Sequence, residues 1–72
     1  MIKNRLKSIR HQLEIDTQTE FAELLCVARQ QLNRWEQQKE QPSLDTAYKL
    51  WEILLLRLPD INLQDLFTKS LD

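Results

Sequence analysis

Apolar residues recur at helical spacing near the start of the chain. They lie at i, i+4, i+7 and i+11, which is the spacing of one face of an α-helix. The residues on this face are Ile2, Leu6, Ile9 and Leu13. The sequence EIDT interrupts the pattern, so the first predicted helix ends before it.

The polar residues that follow predict a second helix at about residues 18 to 25. Either Asp16 or Thr17 can act as its N-cap, and with Thr17 as the cap Glu20 would complete a capping box. The residues that this helix would bury are Phe21, Ala22 and Leu25. Val27 cannot continue the same stripe in register, so the helix ends just before it and a short turn follows.

A third predicted helix begins at Ala28 and is strongly amphipathic. Its apolar side consists of Ala28, Leu32 and Trp35. Its polar side consists of Arg29, Gln30, Asn33, Arg34 and Gln37. Amide and guanidinium groups on a helix surface are usually only solvated. This polar face therefore indicates a function only if a recognisable motif accompanies it.

The segment QQKEQPS predicts a loop, after which a fourth helix begins. Ser43 is placed to cap that helix, and Pro59 ends it. Its predicted apolar stripe is Leu44, Ala47, Tyr48, Trp51, Leu54, Leu55 and Leu58. Ile53 and Leu56 point away from this stripe, so another surface should cover them.

A short fifth helix is predicted at about residues 62 to 68. The residues it would bury are Leu63, Leu66 and Phe67. It would cover part of the apolar excess of the fourth helix, and a second subunit would cover the rest. Since the chain has no glycine and only two prolines, the fold class predicted is all-α.

Length and charge narrow the picture further. A chain of 72 residues is expected to form a single domain over residues 1–72 with a compact core. The net charge of −1 argues against a nucleic-acid partner, but the charges are unevenly distributed. Four basic residues and no acidic one occur in the first twelve positions, namely Lys3, Arg5, Lys7 and Arg10. One end of the molecule is therefore able to face phosphates.

Several classes of function are not expected from the sequence. Cys26 is the only cysteine, and no Cys/His cluster has the spacing of metal ligands, so no disulfide, metal or cofactor is expected. No apolar run reaches the ~20 residues of a membrane span, and a cytoplasmic protein without a membrane partner is expected. His11 has no partner at triad spacing, and Glu20 and Glu23 have no nucleophile or base beside them. Neither an enzyme nor a small-molecule substrate is predicted.

The sequence TQTEFAELLCVARQQLNRWEQ has the apolar spacing of a helix-turn-helix unit. The positions concerned are Phe21, Ala22, Leu25, Val27, Leu32 and Trp35, with the small Ala22 where two steeply crossed helices approach. In this pattern the chain resembles the λ-repressor/Cro-like family, also called the xenobiotic-response-element type. The flanking RLKSIR and PSLDTAYKL look like the family's first and fourth helices. The resemblance implies a compact four- to five-helix DNA-binding domain with its helix-turn-helix at about residues 18–37.

The chain departs from the family pattern in three places. Cys26 stands where the family favours glycine, at a cost of roughly 1 kcal/mol if its backbone is left-handed. The link LEIDT is one residue longer than usual, so Ile15 is expected to enter the core. Trp51 and Ile53 are larger than the residues common at their positions, which affects packing or dimerisation there.

The resemblance implies a sequence-specific regulator of transcription that binds double-stranded DNA, a repressor of the bacterial or phage Cro-like kind. In this family the third helix lies in the major groove. The implied base-reading residues are Arg29, Gln30, Asn33 and Arg34, the last as a reader or a phosphate ligand. The implied DNA-backbone ligands are Thr17, Gln18, Gln31 and Lys39. Arg10 and Glu36 match positions that form a partly buried ion pair between the first and third helices.

A single recognition helix contacts few base pairs, so a homodimer on two half-sites is expected. The candidate interface is the apolar excess at Trp51, Ile53 and Leu56. The alternative hypothesis is a protein-interaction module or an antitoxin that uses the same scaffold to bind a protein partner, since a fold does not determine a function. The acidic balance of the chain supports this alternative.

Overall fold

The structure is a computed structural model and describes residues 2–69. Within that range it contains four α-helices, a short 3-10 helix and a two-stranded antiparallel sheet. The four helices confirm the predicted all-α fold class, and the small sheet is an addition that the sequence did not predict. The elements in chain order are β1 Ile2–Asn4, α1 Leu6–Gln12, α2 Gln18–Leu25, α3 Arg29–Glu36, α4 Leu44–Leu55, the 3-10 helix Leu63–Leu66 and β2 Phe67–Lys69.

The N-terminal residues form a strand, so the prediction that Ile2 belongs to the first helix is wrong. β1 pairs with β2 in antiparallel register, with Ile2 opposite Lys69 and Asn4 opposite Phe67. Ile2 is 58% exposed. The local helical spacing is overridden by pairing with a segment more than sixty residues away, a contact that no local pattern contains.

The C-terminal segment is only partly helical, which corrects the helix predicted at residues 62 to 68. A single 3-10 turn is closed by a reciprocal capping box between Asn62 and Asp65, in which the Asn62 amide donates to Asp65 Oδ2 at 2.8 Å. The chain becomes extended at Phe67 and pairs with β1. Leu66 is buried as predicted, whereas Leu63 and Phe67 are only partly buried.

The ends of α2 follow local chemistry. Thr17, rather than Asp16, is the N-cap, and its side-chain oxygen accepts the Glu20 amide at 3.2 Å. Cys26 ends the helix in the left-handed conformation, with φ 59° and ψ 41°. The chain therefore adopts the conformation for which glycine is favoured, without having glycine there.

The start of α4 agrees with the sequence, but its buried face does not. Ser43 caps the helix by accepting the Thr46 amide at 3.2 Å. The buried residues of the helix are Ala47, Leu50 and Leu54. Leu44 and Tyr48, assigned to the buried stripe, are 68% and 46% exposed. Apolar residues surround most of α4, so periodicity alone cannot identify the face that packs on α2 and the 3-10 helix.

The core is formed by side chains from all four helices and the C-terminal segment. Its buried apolar residues are Leu6, Ile9, Phe21, Ala22, Leu25, Leu32, Trp35, Ala47, Leu50, Leu54, Ile61 and Leu66. Ala22 is 3% exposed. Its small side chain allows α2 and α3 to approach each other closely where they cross. Ile15 packs against this core from the link after α1. No helix within residues 2–69 has the length and apolar character needed to cross a membrane.

Candidate nucleic-acid interface

The outward surface of α3 begins with two exposed side chains. Ala28 is the extended residue before the helix, and Arg29 and Gln30 occupy the first turn. Among residues 2–69, no side-chain hydrogen bond or ion pair involves Arg29 or Gln30. The first amide groups of a helix are not used inside it, so the start of α3 presents backbone donors beside these two side chains.

One turn further along α3 the side chains are tied to their surroundings. Asn33 is partly buried, and its Oδ1 accepts hydrogen bonds from Gln18 Nε2 at 3.2 Å and from Gln37 Nε2 at 3.3 Å. Arg34 lies near Glu40, with 3.8 Å between Nε and Oε1 and both side chains about half exposed. An exposed pair of this kind contributes little to stability, so Arg34 remains available to another anion.

Gln18 joins the start of α2 to the middle and end of α3. Its Nε2 donates to Asn33 Oδ1 at 3.2 Å and to Glu36 Oε1 at 3.0 Å. Both hydrogens of this amide are therefore used within the protein. The remaining polar atom of the side chain is Oε1, which is able only to accept.

Arg10 and Glu36 form a buried, two-pronged ion pair between α1 and α3. Arg10 Nε lies 3.0 Å from Glu36 Oε2, and Nη2 lies 3.3 Å from Oε1. The side chains are 10% and 2% exposed. The remaining nitrogen, Nη1, donates to the carbonyls of Ile15 and Asp16 at 3.3 and 3.2 Å. One guanidinium thus fixes α3 relative to α1 and to the link between α1 and α2.

The residues expected to contact the DNA backbone lie in different environments. Lys39 is exposed in the loop after α3, and Thr17 is exposed at the start of α2 with its hydroxyl acting as the cap. Gln31 donates to Glu40 Oε2 at 2.9 Å. Glu40, which the sequence did not single out, therefore engages both Gln31 and Arg34. An acidic residue in a loop gives no sequence signal for this role.

A cluster of three side-chain amides holds the end of α3, although no pattern in the sequence indicates it. Asn4, 4% exposed, donates from Nδ2 to the Trp35 carbonyl at 2.7 Å and to Gln41 Oε1 at 2.9 Å. Gln38 bonds both backbone groups of Asn4, accepting from its amide at 3.0 Å and donating to its carbonyl at 2.9 Å. The loop that carries Lys39 is thereby attached to β1.

The three residues expected at a dimer or partner interface do not share one exposed surface. Trp51 is partly buried, and its indole Nε1 donates to the Ile61 carbonyl at 2.9 Å. Ile53 is also partly buried against the core. Leu56, just after α4, is 84% exposed. Trp51 thus holds the chain's own C-terminal segment, and Leu56 is the member that offers free apolar surface.

Within residues 2–69 no group of three or more His, Cys, Asp or Glu side chains is placed to hold a metal ion. Cys26 is exposed on the turn between α2 and α3. The polar groups that the fold does bring together are the amides, carboxylates and guanidinium groups around α3.

Comparison with known proteins agrees with the arrangement of α2 and α3. A family model described as helix-turn-helix matches residues 6–61, which extend from the start of α1 past the end of α4. A search of curated proteins gave no match to the sequence.

Proposed function

The chain belongs to the Cro/C1-type helix-turn-helix family, whose members are DNA-binding regulators, and we propose that it represses transcription by binding a specific double-stranded operator. In the proposed complex α3 lies in the major groove and α2 crosses the DNA backbone. The observation that carries the proposal is the exposed start of α3, where Arg29 and Gln30 have no partner within residues 2–69.

These two side chains have the chemistry of base readers. The Arg29 guanidinium is able to donate two hydrogen bonds to guanine O6 and N7, and the Gln30 amide is able to pair with adenine N6 and N7. Each such pair discriminates against a wrong base by about 1–3 kcal/mol. Neither side chain has to leave a partner within residues 2–69 in order to contact a base.

Contacts to phosphates would position the domain. The free amides at the starts of α2 and α3 and the Lys39 ammonium are suitable donors. Gln31 would first have to be released from Glu40, to which it donates at 2.9 Å, whereas Arg34 leaves its exposed 3.8 Å pair with Glu40 at little cost. We therefore assign the main phosphate contacts to Lys39 and to the helix starts, with Arg34 as a further phosphate ligand or base reader.

A homodimer is part of the proposal, because one helix covers only a few base pairs. Two copies related by a two-fold axis would place their α3 helices in half-sites about 34 Å apart. Leu56 is the centre of the proposed interface, and Ile53 lies one turn before it on α4. Trp51 is not part of this surface, because its indole donates to the Ile61 carbonyl of the same chain.

A second candidate function is a protein-interaction module or antitoxin on the same scaffold. The observation that favours it is Leu56, an 84% exposed apolar side chain that a protein other than a second copy would also cover. In this case replacement of Arg29 or Gln30 leaves function intact, while replacement of Leu56 abolishes partner binding.

The experiment that tests the proposal is equilibrium selection from a randomised duplex library at about physiological salt. The wild-type protein, Gln30→Ala and Gln12→Leu are run in parallel, the last replacing an exposed glutamine on α1. We expect wild type and Gln12→Leu to enrich one palindrome and Gln30→Ala to lose preference at one position of each half-site. A folded wild-type protein that enriches no sequence would refute direct readout and leave the protein-partner function.

A further inference from the structure

We propose that Asn33 offers only hydrogen-bond donors to the major groove and therefore selects guanine rather than adenine, because the Arg10–Glu36 ion pair fixes its amide through Gln18. This inference rests on the proposed function and names the base chemistry of one position in the site. It assigns Gln18 as a positioning residue that acts on DNA through Asn33.

The first step is the direction of the Gln18 amide. The Glu36 carboxylate is held by Arg10 and has only acceptor oxygens, so the group that lies 3.0 Å from its Oε1 must be a donor. Of the two ends of the Gln18 amide only Nε2 carries hydrogens. The buried ion pair thus determines which end of the Gln18 amide faces α3.

The second step is the direction of the Asn33 amide. The same Gln18 Nε2 lies 3.2 Å from Asn33, so the Asn33 atom at that contact must be the acceptor Oδ1. Gln37 Nε2 supplies a second donor to Oδ1 at 3.3 Å. Rotation of the Asn33 amide by half a turn would place its NH2 group against the fixed Gln18 donor and lose that hydrogen bond.

The consequence lies at the surface that faces DNA. Asn33 Oδ1 is occupied by Gln18 and Gln37, and no acceptor within residues 2–69 contacts Nδ2. Guanine presents two acceptors in the major groove, O6 and N7, whereas adenine presents the acceptor N7 beside the donor N6–H2. In the usual asparagine–adenine pair, Oδ1 accepts a hydrogen bond from adenine N6. In this network Oδ1 already accepts from Gln18 and Gln37, so it is not free to accept from N6. The NH2 group of Asn33 fits the guanine edge.

The hydrogen bonds of Gln18 also change the role expected for this residue. Both Nε2 hydrogens are committed to Asn33 and Glu36, so the side chain has no donor left for a phosphate oxygen. Any phosphate contact at this position comes from the backbone amide at the start of α2. The Gln18 side chain acts by orienting Asn33.

The DNA test compares base preferences in the selected operator. Asn33→Ala identifies the position that Asn33 reads, as the one whose preference is lost. At that position we expect wild type to prefer guanine over adenine by about tenfold or more, within the range of one base contact. In Gln18→Leu with Gln37→Ala, both donors to Oδ1 are gone, and we expect adenine to be accepted about as well as guanine. Gln12→Leu is the control that retains the wild-type preference.

The possible outcomes separate this inference from the proposed function. A selected operator with adenine preferred at the Asn33 position, or with guanine preference unchanged in the double variant, overturns the inference and leaves the operator-binding function standing. If Asn33→Ala alters the base preference at no position of the operator, the inference is also overturned and the operator-binding function still stands. Absence of any selected sequence refutes the proposed function and the inference together.

A second measurement needs no DNA and is made on the free protein. Side-chain amide signals in NMR report solvent exchange of each NH2 group. We expect the Gln18 Nε2 hydrogens, which have two internal acceptors, to exchange slowly, and the Asn33 Nδ2 hydrogens to exchange at the rate of an exposed amide. Slow exchange at Asn33 with fast exchange at Gln18 would show the opposite orientation and overturn the inference.

Discussion

Asn4 in the first strand donates a 2.7 Å hydrogen bond to the backbone carbonyl of Trp35 in the last turn of α3. The two residues are 31 positions apart, and the bond is buried. It joins the sheet, formed by the two ends of the described chain, to the helix proposed to read DNA. Asn4 and the Arg10–Glu36 ion pair thus both hold the end of α3, which also packs against α2.

The first prediction concerns this buried amide. Asn4→Ala removes the donors to Trp35 and Gln41 and the acceptor of the Leu6 amide, and we expect the free energy of unfolding to fall by about 1–3 kcal/mol. Asn4→Asp keeps the acceptor for Leu6 but places a buried charge beside the Trp35 carbonyl, so we expect a larger loss. Urea denaturation measures both. An aspartate variant as stable as wild type would contradict the described hydrogen-bond directions.

The second prediction concerns the ion pair. Arg10→Met leaves the Glu36 carboxylate, 2% exposed, without its cationic partner, and we expect unfolding to become easier by about 3–5 kcal/mol. Arg10→Met with Glu36→Leu removes the unpaired charge as well, and we expect it to regain much of the lost stability. Thermal or urea unfolding of wild type and both variants decides the point. A double variant less stable than Arg10→Met would show that the pair contributes through other contacts.

The third prediction concerns the turn between α2 and α3. Cys26 has φ 59°, a conformation that costs a residue with a side chain about 1 kcal/mol relative to glycine. We expect Cys26→Gly to raise the free energy of unfolding by about 0.5–1 kcal/mol and Cys26→Ala to change it little. Gln38 has φ 62° but also holds Asn4, so Gln38→Gly is the matched control and should not stabilise the protein. If Gln38→Gly stabilised the protein as well, the gain from glycine would not depend on whether the replaced side chain makes hydrogen bonds.

The fourth prediction concerns phosphate contacts. Lys39 is exposed in the loop held by the amide cluster, and a lysine that neutralises a phosphate releases a counterion on binding. We expect Lys39→Ala to weaken binding to all duplexes alike and to reduce the slope of log affinity against log salt by about 1. Lys49→Ala removes an exposed charge from α4 and serves as the control. An unchanged slope for Lys39→Ala would place the phosphate contact elsewhere.

The helix-turn-helix was predictable because its signals are local. The cap Thr17 has its partner three residues away, and the apolar positions of α2 and α3 follow helical spacing. The cap of α4, Ser43, is equally local. The strand at Ile2 was not predictable, because its partner near Lys69 is distant in sequence and both segments are very short. The buried face of α4 was assigned wrongly, since a helix that is apolar on most sides carries no strong periodic signal.

The candidate site was predictable by residue but not by contact. The sequence indicated that Arg29, Gln30 and Asn33 share the polar face of α3. The sequence did not indicate that Gln18 donates both of its amide hydrogens to other side chains of the protein. It also did not indicate that Glu40 contacts Gln31 and Arg34. Hydrogen-bond direction depends on which groups meet in three dimensions, and residue types alone do not specify it.

The last prediction concerns the proposed dimer. Leu56 is 84% exposed after α4, and its burial at a two-fold interface would occur once in each subunit. With about 1.5–3 kcal/mol for each buried leucine, we expect Leu56→Glu to weaken dimerisation by roughly 100-fold or more. Sedimentation equilibrium over a range of concentrations measures this, and operator affinity should fall with it. Leu44→Glu, at the opposite end of α4 and 68% exposed, is the matched control. Dissociation by Leu44→Glu but not by Leu56→Glu would move the interface to the other end of the helix, and a monomeric wild-type protein on its operator would refute the dimer.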